Sequence, residues 1–205
     1  LRQAALQGSI HGCRNALECA LDDLRETGGR VFLVSRTGPK GLDPTTSLLC
    51  NFVHVAVDAF WLDDGGRDQP RFARELGELC RATGGLLHYT DAIDLDQFRR
   101  DFTSATDGYF PSTDEVETGV QVIDKAEGCH TAHEATLKVR CSTGLRVQQI
   151  YGVGCSLSKD ELTISSVRAA TTFCVDLERF VNFEAGKRIY VQCALLYSDP
   201  ATKRR

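Results

Sequence analysis

The residues of this chain that could hold a metal stand closest together in the segment CHTAH, which contains Cys129, His130 and His133. Thiolate and imidazole are ligands that zinc prefers, but a structural zinc site normally has four of them. No Cys-x-x-Cys pair occurs anywhere in the chain to supply the remainder. The segment therefore favours a solvated loop, and the sequence predicts no metal site.

Candidate nucleophiles and bases are numerous but show no catalytic arrangement. The chain has nine Cys and five His, and a Cys–His pair can form in a fold without being adjacent in sequence. No GxGxxG turn is present, and the GPKG segment around Lys40 lacks the spacing of a phosphate-binding loop. His54 and His88 fall within apolar runs, which is typical of core histidines. The sequence predicts a protein that is not an enzyme.

Composition excludes several broad classes of protein. The chain has 205 residues and a net charge of −4, whereas a nucleic-acid-binding domain is usually strongly basic. The longest apolar candidate, FVHVAVDAFWL, is about half the roughly 20 residues that a membrane-spanning helix needs. The cysteines are odd in number and scattered through apolar runs, which indicates free thiols in a reducing, cytoplasmic compartment. The absence of Met, even at position 1, suggests a piece of a longer protein.

Apolar periodicity predicts an α/β unit in the first half of the chain. Helical spacing at three and four residues alternates with short apolar runs, and paired glycines end two of the helical segments. Such alternation is typical of a Rossmann-like layer with a parallel sheet. The predicted helices cover 13–26, 71–82 and 94–102, the predicted strands cover 30–35, 52–62 and 86–92, and 37–46 is predicted as loop.

Helical periodicity stops near residue 107, and strand patterns follow it. Six segments of the second half alternate or carry β-branched runs, with Gly and Asp/Ser clusters between them. This predicts two domains, an α/β domain over 1–107 and an incomplete β-sandwich over 108–205. The predicted strands are VQVID, ATLKVR, LRVQQIYG, ELTIS, TFCVDL and RIYVQCALLYS, the last of them read as a buried strand that runs into the basic end Lys203, Arg204 and Arg205.

Three stretches resemble one family. TGGLLHYTDAIDLDQFRRDF is similar to its TGG-aromatic-Tyr strand and the helix after it. LKVRCSTGLRVQQIYG is similar to a strand pair of that family, and VQCALLYSDPATKRR to a strand ending in twin arginines. The family is the inner coat of coat protein complex II (COPII). The cargo-adaptor subunit of the Sec24 type fits better than the sister subunit of the Sec23 type, over about residues 9–205.

The resemblance implies a fold and a binding function. The expected fold is the C-terminal part of a von Willebrand A-like trunk domain followed by a β-sandwich. The expected function is to bind export signals on the cytoplasmic tails of membrane cargo for ER-to-Golgi transport. Expected partners are the sister coat subunit and the surface of the ER membrane, on which the protein would be peripheral, and also COPII vesicles. The family's zinc-finger Cys pairs are absent from this chain, so no cofactor is expected.

The resemblance also implies the residues of a cargo pocket between trunk and sandwich. Acidic or hydrophobic-acidic peptides need a basic rim beside an apolar wall, and the planar fork of Arg can hold a carboxylate with two hydrogen bonds. The matching basic positions are Lys138 and Arg140, which should share one strand face, and then Arg146. The apolar wall would come from Leu195 or Leu196.

Two alternative functions stay open at this point. One is a diverged structural coat or scaffold subunit that keeps the fold without the cargo pocket, in which case the basic residues form only a solvated strand face. The other is a metal-dependent von Willebrand A-type binding domain, although its Asp-x-Ser-x-Ser turn does not occur in this sequence.

Overall fold

The computed structural model describes residues 12–36, 42, 44–62, 69–90, 94–106, 131–168, 171–184 and 186–199. These residues form an α/β unit followed by an all-β unit, as predicted. The predicted VQVID strand, the boundary near residue 107, the basic end of the chain, and Cys129 and His130 lie outside the described residues.

The α/β unit alternates helices and strands. Its three strands are parallel and lie in the order β1-β2-β3. The central strand β2 is buried along almost its whole length, which explains why its sequence is apolar on both faces. The elements are α1 (Gly12–Leu24), β1 (Gly29–Ser35), α2 (Pro44–Phe52), β2 (Val55–Leu62), α3 (Gln69–Thr83), β3 (Leu87–Thr90) and α4 (Leu95–Thr106).

The helix α2 is the main correction to the elements predicted for this unit. The sequence predicts a loop up to residue 46 and a strand from residue 52, with no element assigned between them, yet Pro44–Phe52 forms a nine-residue helix. Pro44 stands at its first position, where proline costs no hydrogen bond and favours the helical φ. The parallel pairing of β1 with β2 needs a crossover connection between them, and α2 lies in it.

Helix ends in the α/β unit follow capping rules. The side chain of Asp94 accepts hydrogen bonds from the amides of Asp96 and Gln97, both at 3.0 Å, at the start of α4. The glycine pair Gly84-Gly85 ends α3, with Gly84 at a φ of +81° and the amide of Gly85 bonded to the carbonyl of Cys80 at 2.8 Å.

The sheet of the α/β unit has a different packing layer on each face. One face packs on α1, α2 and α3 through aliphatic side chains and Trp61. The other face meets α4 through stacked and tilted rings, with the Phe60 and His88 rings 4.5 Å apart and nearly parallel. The aliphatic layer includes Leu17, Leu21, Cys50, Val53, Val55, Val57, Ala59, Leu76, Leu79 and Cys80; the ring layer contains Phe32, Phe60, His88, Phe98 and Phe102.

The second unit is a sandwich of two antiparallel sheets. One sheet has four strands in the order β6-β7-β4-β9, and the other pairs β5 with β8. The strands are β4 (Ala132–Cys141), β5 (Leu145–Tyr151), β6 (Cys155–Ser158), β7 (Glu161–Val167), β8 (Cys174–Arg179) and β9 (Val191–Ser198). The core between the sheets contains Ala135, Leu137, Val139, Val147, Ile150, Leu162, Ile164 and Val167.

The burial predicted for β9 was wrong. Its apolar sequence predicts a core strand, but seven of its eight residues are exposed. The strand lies at the edge of the four-stranded sheet, beyond β4. The core residues of the two-stranded sheet lie opposite β4 and β7, and no residue of β9 belongs to this core. Apolar character alone does not separate a covered strand from an edge strand.

The two units are joined through the carboxylate of Asp58, in the middle of β2. Asp58 is fully buried and forms an ion pair with Arg30 on the neighbouring strand β1. Arg168, just after β7 of the sandwich, donates to both of its oxygens, at 3.0 and 3.2 Å, and the amide of Leu86 donates at 2.6 Å. Burial raises the pKa of the Asp58 carboxyl, and the Arg30 charge and the Leu86 amide act against that rise. Arg168 of the sandwich thus helps to compensate the buried negative charge of Asp58 in the α/β unit.

Side chains and backbone groups beside Asp58 continue this junction. The Ser165 hydroxyl donates to the Asn51 side chain at 2.8 Å, and the Asn51 amide in turn donates to the carbonyl of Ala82 at 2.8 Å. The amide of Gly154 donates to the carbonyl of Arg81 at 2.8 Å. Gly84 lies against the sandwich, where a Cβ would overlap the carbonyl oxygen of Ser166, and a Cβ at Gly85 would overlap the carbonyl oxygen of Val57 in β2.

We expect Gly84→Ala to destabilise the protein more than Gly186→Ala. Both glycines have a φ near +80°, so both changes introduce similar backbone strain. A Cβ at Gly84 would overlap the carbonyl oxygen of Ser166, whereas a Cβ at Gly186 meets nothing within 4 Å. The extra cost of overpacking the junction is about 1–3 kcal/mol of unfolding free energy, measurable by urea denaturation. Equal destabilisation by the two changes would contradict the close approach at the junction.

We expect Asp58→Ala to lower the free energy of unfolding by about 3–5 kcal/mol, because it leaves buried guanidinium charges without their carboxylate. Chemical denaturation measures the loss. The matched control is Glu78→Ala, which removes the carboxylate of an exposed ion pair with Arg74 on α3; its midpoint should move little. Similar midpoint shifts for the two variants would show that Asp58 is not a stabilising contact.

The cysteines predict a graded thiol reactivity. The described cysteines are free, with Cys50 and Cys80 buried and Cys174 and Cys193 exposed. Burial raises the pKa of the Cys50 and Cys80 thiols to about 12, which suppresses the reactive thiolate. In the native protein, mass spectrometry after alkylation should find Cys174 and Cys193 labelled while Cys50 and Cys80 stay unlabelled. After denaturation without reductant, all nine thiols should react, and labelling of Cys50 as fast as Cys193 would contradict the structure.

Candidate functional site

The basic residues Lys138 and Arg140 lie on the same face of β4. Side chains alternate along a strand, and Leu137 and Val139, which alternate with these two residues, are buried in the sandwich core. Arg140 is exposed and Lys138 is half-buried. The structure thus places the two predicted cations side by side on the outer face of the four-stranded sheet.

Lys138 is already paired within the sandwich. Its ammonium lies 2.6 Å from the carboxylate of Glu161, which stands directly opposite it on β7. The hydrogen bond and charge of Glu161 raise the pKa of Lys138. Arg140 forms no ion pair with any described residue. Of the two cations, Arg140 is the one whose donors are open to a ligand.

A pocket lies where β4 leaves the four-stranded sheet and β5 begins in the other. Its volume is about 430 Å³. Arg140 and Arg146, two of the predicted site residues, both line it, and Lys138 does not. All of the lining residues belong to the sandwich, so the expected contribution of the trunk is not found among the described residues. They are Val139, Arg140, Cys141, Leu145, Arg146, Val147, Lys159 and Asp160.

Arg146 reaches this pocket with its guanidinium already in contact with other side chains. Its Nε and Nη2 each lie 2.8 Å from the same carboxylate oxygen of Glu178, the residue opposite it on β8. The guanidinium also lies 5.9 Å from the centre of the Phe180 ring. The hydrogen bond from Arg146 lowers the pKa of Glu178. Both side chains are substantially exposed, so water screens the pair.

Lys159 and Asp160 are pocket residues that the sequence analysis missed. They form the turn between β6 and β7, which is held against β4 by a 2.9 Å hydrogen bond from the Val139 amide to the Asp160 carbonyl. The Ser158 hydroxyl donates to the Asp160 carboxylate at 2.7 Å and lowers its pKa. The turn-forming sequence SKDE between two apolar runs was a usable signal, but its nearness to Arg140 depends on strand order.

Leu195 and Leu196 do not line this pocket. In the register with β4, Leu196 lies opposite Thr136, on the face that carries Lys138 and Arg140. Leu195 lies opposite Leu137, on the other face. β9 flanks β4 on the side away from β7, and Thr136 is four residues from Arg140, about 13 Å along the strand. The apolar wall of the pocket comes from Val139, Leu145 and Val147 instead.

The described residues contain no group of three or more His, Cys, Asp or Glu side chains that could hold a metal ion. His133 lies in β4, where burial lowers its pKa. None of the described helices is long and apolar enough to cross a membrane.

The comparisons with known proteins agree with this architecture. Residues 132–205 match the family model described as the Sec23/Sec24 beta-sandwich domain. The second part of this chain is therefore similar to the beta-sandwich domain of the Sec23/Sec24 family. The matched residues begin with β4 and include all six strands of the sandwich. The resemblance to the COPII inner coat is thereby confirmed, while the Sec23 and Sec24 types are not distinguished.

A solved structure extends the likeness over both units. The crystal structure of the human COPII-coat protein Sec24c aligns with 95% of this chain at a TM-score of 0.66 and 19% sequence identity. At that identity the match establishes the fold, an α/β trunk followed by a Sec23/Sec24 sandwich. The chain spans 27% of the length of that Sec24c chain. No curated protein sequence matches this chain significantly.

Proposed function

We propose that this chain is part of a COPII coat subunit that binds export signals of membrane cargo, with Arg140 as the principal contact. The family of the sandwich and the fold of both units support a coat protein. The observation that carries the binding proposal is the pocket at Arg140, where an exposed guanidinium stands beside apolar side chains. On this reading the protein binds and assembles, and it is not an enzyme.

Arg140 suits the acidic residue of an export signal. A guanidinium holds a carboxylate through two parallel hydrogen bonds, and such charge-assisted bonds are stronger than neutral ones. Arg146 supplies a second positive charge in the same pocket, and Lys138 extends the basic face along β4. An extended peptide lying along the sheet could place an apolar residue on Leu145, which lines the pocket and is half-buried.

Leu195 and Leu196 lie outside the pocket, and only Leu196 is on the face of the sheet that carries Arg140. A peptide lying along β4 would reach the exposed Leu196 about four residues away from its acidic residue, on the same face as Arg140. Leu195 would contribute only to a ligand or partner on the opposite face.

The expected partners follow from the same proposal. The protein would be cytoplasmic and peripheral on the ER membrane and on COPII vesicles, paired with the sister coat subunit, and would contact the cytoplasmic tails of cargo. No nucleic acid and no cofactor enter this function.

A structural coat subunit without a cargo pocket is the second candidate. Two of the three predicted cations already form ion pairs within the sandwich, and this observation favours the second candidate. Lys138 pairs with Glu161, and Arg146 pairs with Glu178. In such a protein the basic residues would serve to pair strands.

Binding of a hydrophobic-acidic peptide separates the two candidates. We expect a fluorescently labelled peptide that carries leucine and glutamate residues to bind with a micromolar Kd. Arg140→Ala should raise the Kd about tenfold, which corresponds to about 1.4 kcal/mol, because it removes a charge-assisted hydrogen bond. Fluorescence anisotropy gives both Kd values.

The matched control is Arg74→Ala, which removes an exposed arginine of α3 that does not line the pocket. Its Kd should equal that of the wild type. Equal Kd values for wild type and Arg140→Ala would place peptide recognition elsewhere, and a wild type that binds no peptide would favour the structural subunit.

A further inference from the structure

We infer that Lys159 and Glu178 set the affinity of the Arg140 pocket for acidic peptides, Lys159 as a third cation and Glu178 as an internal competitor for Arg146. The inference rests on the proposed function, since it concerns the same pocket. It adds two residues that neither the sequence motifs nor the family resemblance indicated.

Three cations from three separate segments converge on the pocket. Arg140 comes from β4, Arg146 from β5 and Lys159 from the turn between β6 and β7. The hydrogen bond from the Val139 amide to the Asp160 carbonyl fixes that turn next to Arg140. Lys159 is exposed, so its ammonium can approach a bound anion without first leaving a buried partner.

Glu178 occupies the position that a ligand carboxylate would take on Arg146. Both guanidinium contacts of Arg146, from Nε and Nη2, go to one oxygen of Glu178. The charges of Arg146 and Lys159 both act on Glu178, so its carboxylate is the negative group that these two pocket cations share. An acidic peptide must therefore compete with Glu178 for Arg146.

The exchange of Glu178 for a ligand costs little. The Arg146 and Glu178 side chains are 59% and 41% exposed, and exposed ion pairs contribute at most a small stabilisation. The Arg146 guanidinium can keep its contact with the Phe180 ring while its donors change partner. The pair thus lowers the affinity of the pocket without closing it.

The sandwich contains a second cross-strand pair that serves as a control. Lys138 and Glu161 stand opposite each other on β4 and β7, just as Arg146 and Glu178 do on β5 and β8. Lys138 does not line the pocket. Replacing Glu161 removes a comparable ion pair close to Arg140 and frees no cation inside the pocket.

The test is a peptide titration with the variants Glu178→Gln, Lys159→Gln and Glu161→Gln. The probe is the same leucine- and glutamate-containing peptide, together with a twin in which glutamine replaces each glutamate. We expect Glu178→Gln to bind the acidic peptide about two- to fivefold more tightly and Lys159→Gln about two- to fivefold more weakly. Glu161→Gln frees Lys138, which lies outside the pocket, and should tighten binding less than Glu178→Gln does. Raising the ionic strength from about 0.05 to 0.3 M should reduce the differences, because the groups are exposed to solvent. Thermal melts check that each variant is folded.

The outcomes distinguish this inference from the proposed function. If Arg140→Ala weakens binding while Glu178→Gln and Lys159→Gln leave it unchanged, the inference is overturned and the proposed function stands. If neither the wild type nor Glu178→Gln binds the peptide, both are overturned. Equal binding of the acidic peptide and its glutamine twin, or equal tightening by Glu161→Gln and Glu178→Gln, also overturns the inference.

Discussion

The buried carboxylate of Asp58 is the contact on which the arrangement of this structure depends. It lies at the centre of β2, where the neighbours of an ordinary parallel strand would all be apolar, and a charge there is costly unless it is compensated. Arg30 and the Leu86 amide compensate it from within the α/β unit, and Arg168 does so from the sandwich. Because the last of these partners belongs to another unit, separating the units exposes an incompletely paired charge.

This junction determines how the sandwich presents its pocket. The contacts to Asp58, Asn51 and Gly84 are made by the C-terminal half of β7 and the residue after it, while the pocket lies at the other end of the same sheet, beside the turn that precedes β7. None of these junction contacts involves the cations near Arg140, which take no part in holding the units together. The binding proposed at Arg140 and the attachment to the α/β unit therefore involve opposite ends of one sheet.

The sequence predicted the order of most elements because each depends on local periodicity. The helix with Phe72, Leu76 and Leu79 on one face and the strand ATLKVR are examples. What it could not predict depends on contacts distant in sequence. The exposure of β9 follows from its place at a sheet edge, and the helix α2 is short and begins at a proline. In the candidate site, alternation placed Lys138 and Arg140 on one face, but only strand order brings Lys159 beside Arg140 and takes Leu195 and Leu196 away from it.

The most direct test of the account is whether the two units unfold as one. Trp61 is the only tryptophan and lies in β2, so its fluorescence reports on the α/β unit, while amide hydrogen exchange of β4 and β7 reports on the sandwich. With a shared buried charge, the two signals should change at the same urea concentration in the wild type and separate in Arg168→Met, which removes only the contribution of the sandwich to Asp58. A wild type whose sandwich amides become exchangeable while Trp61 fluorescence stays native would contradict the central role of Asp58.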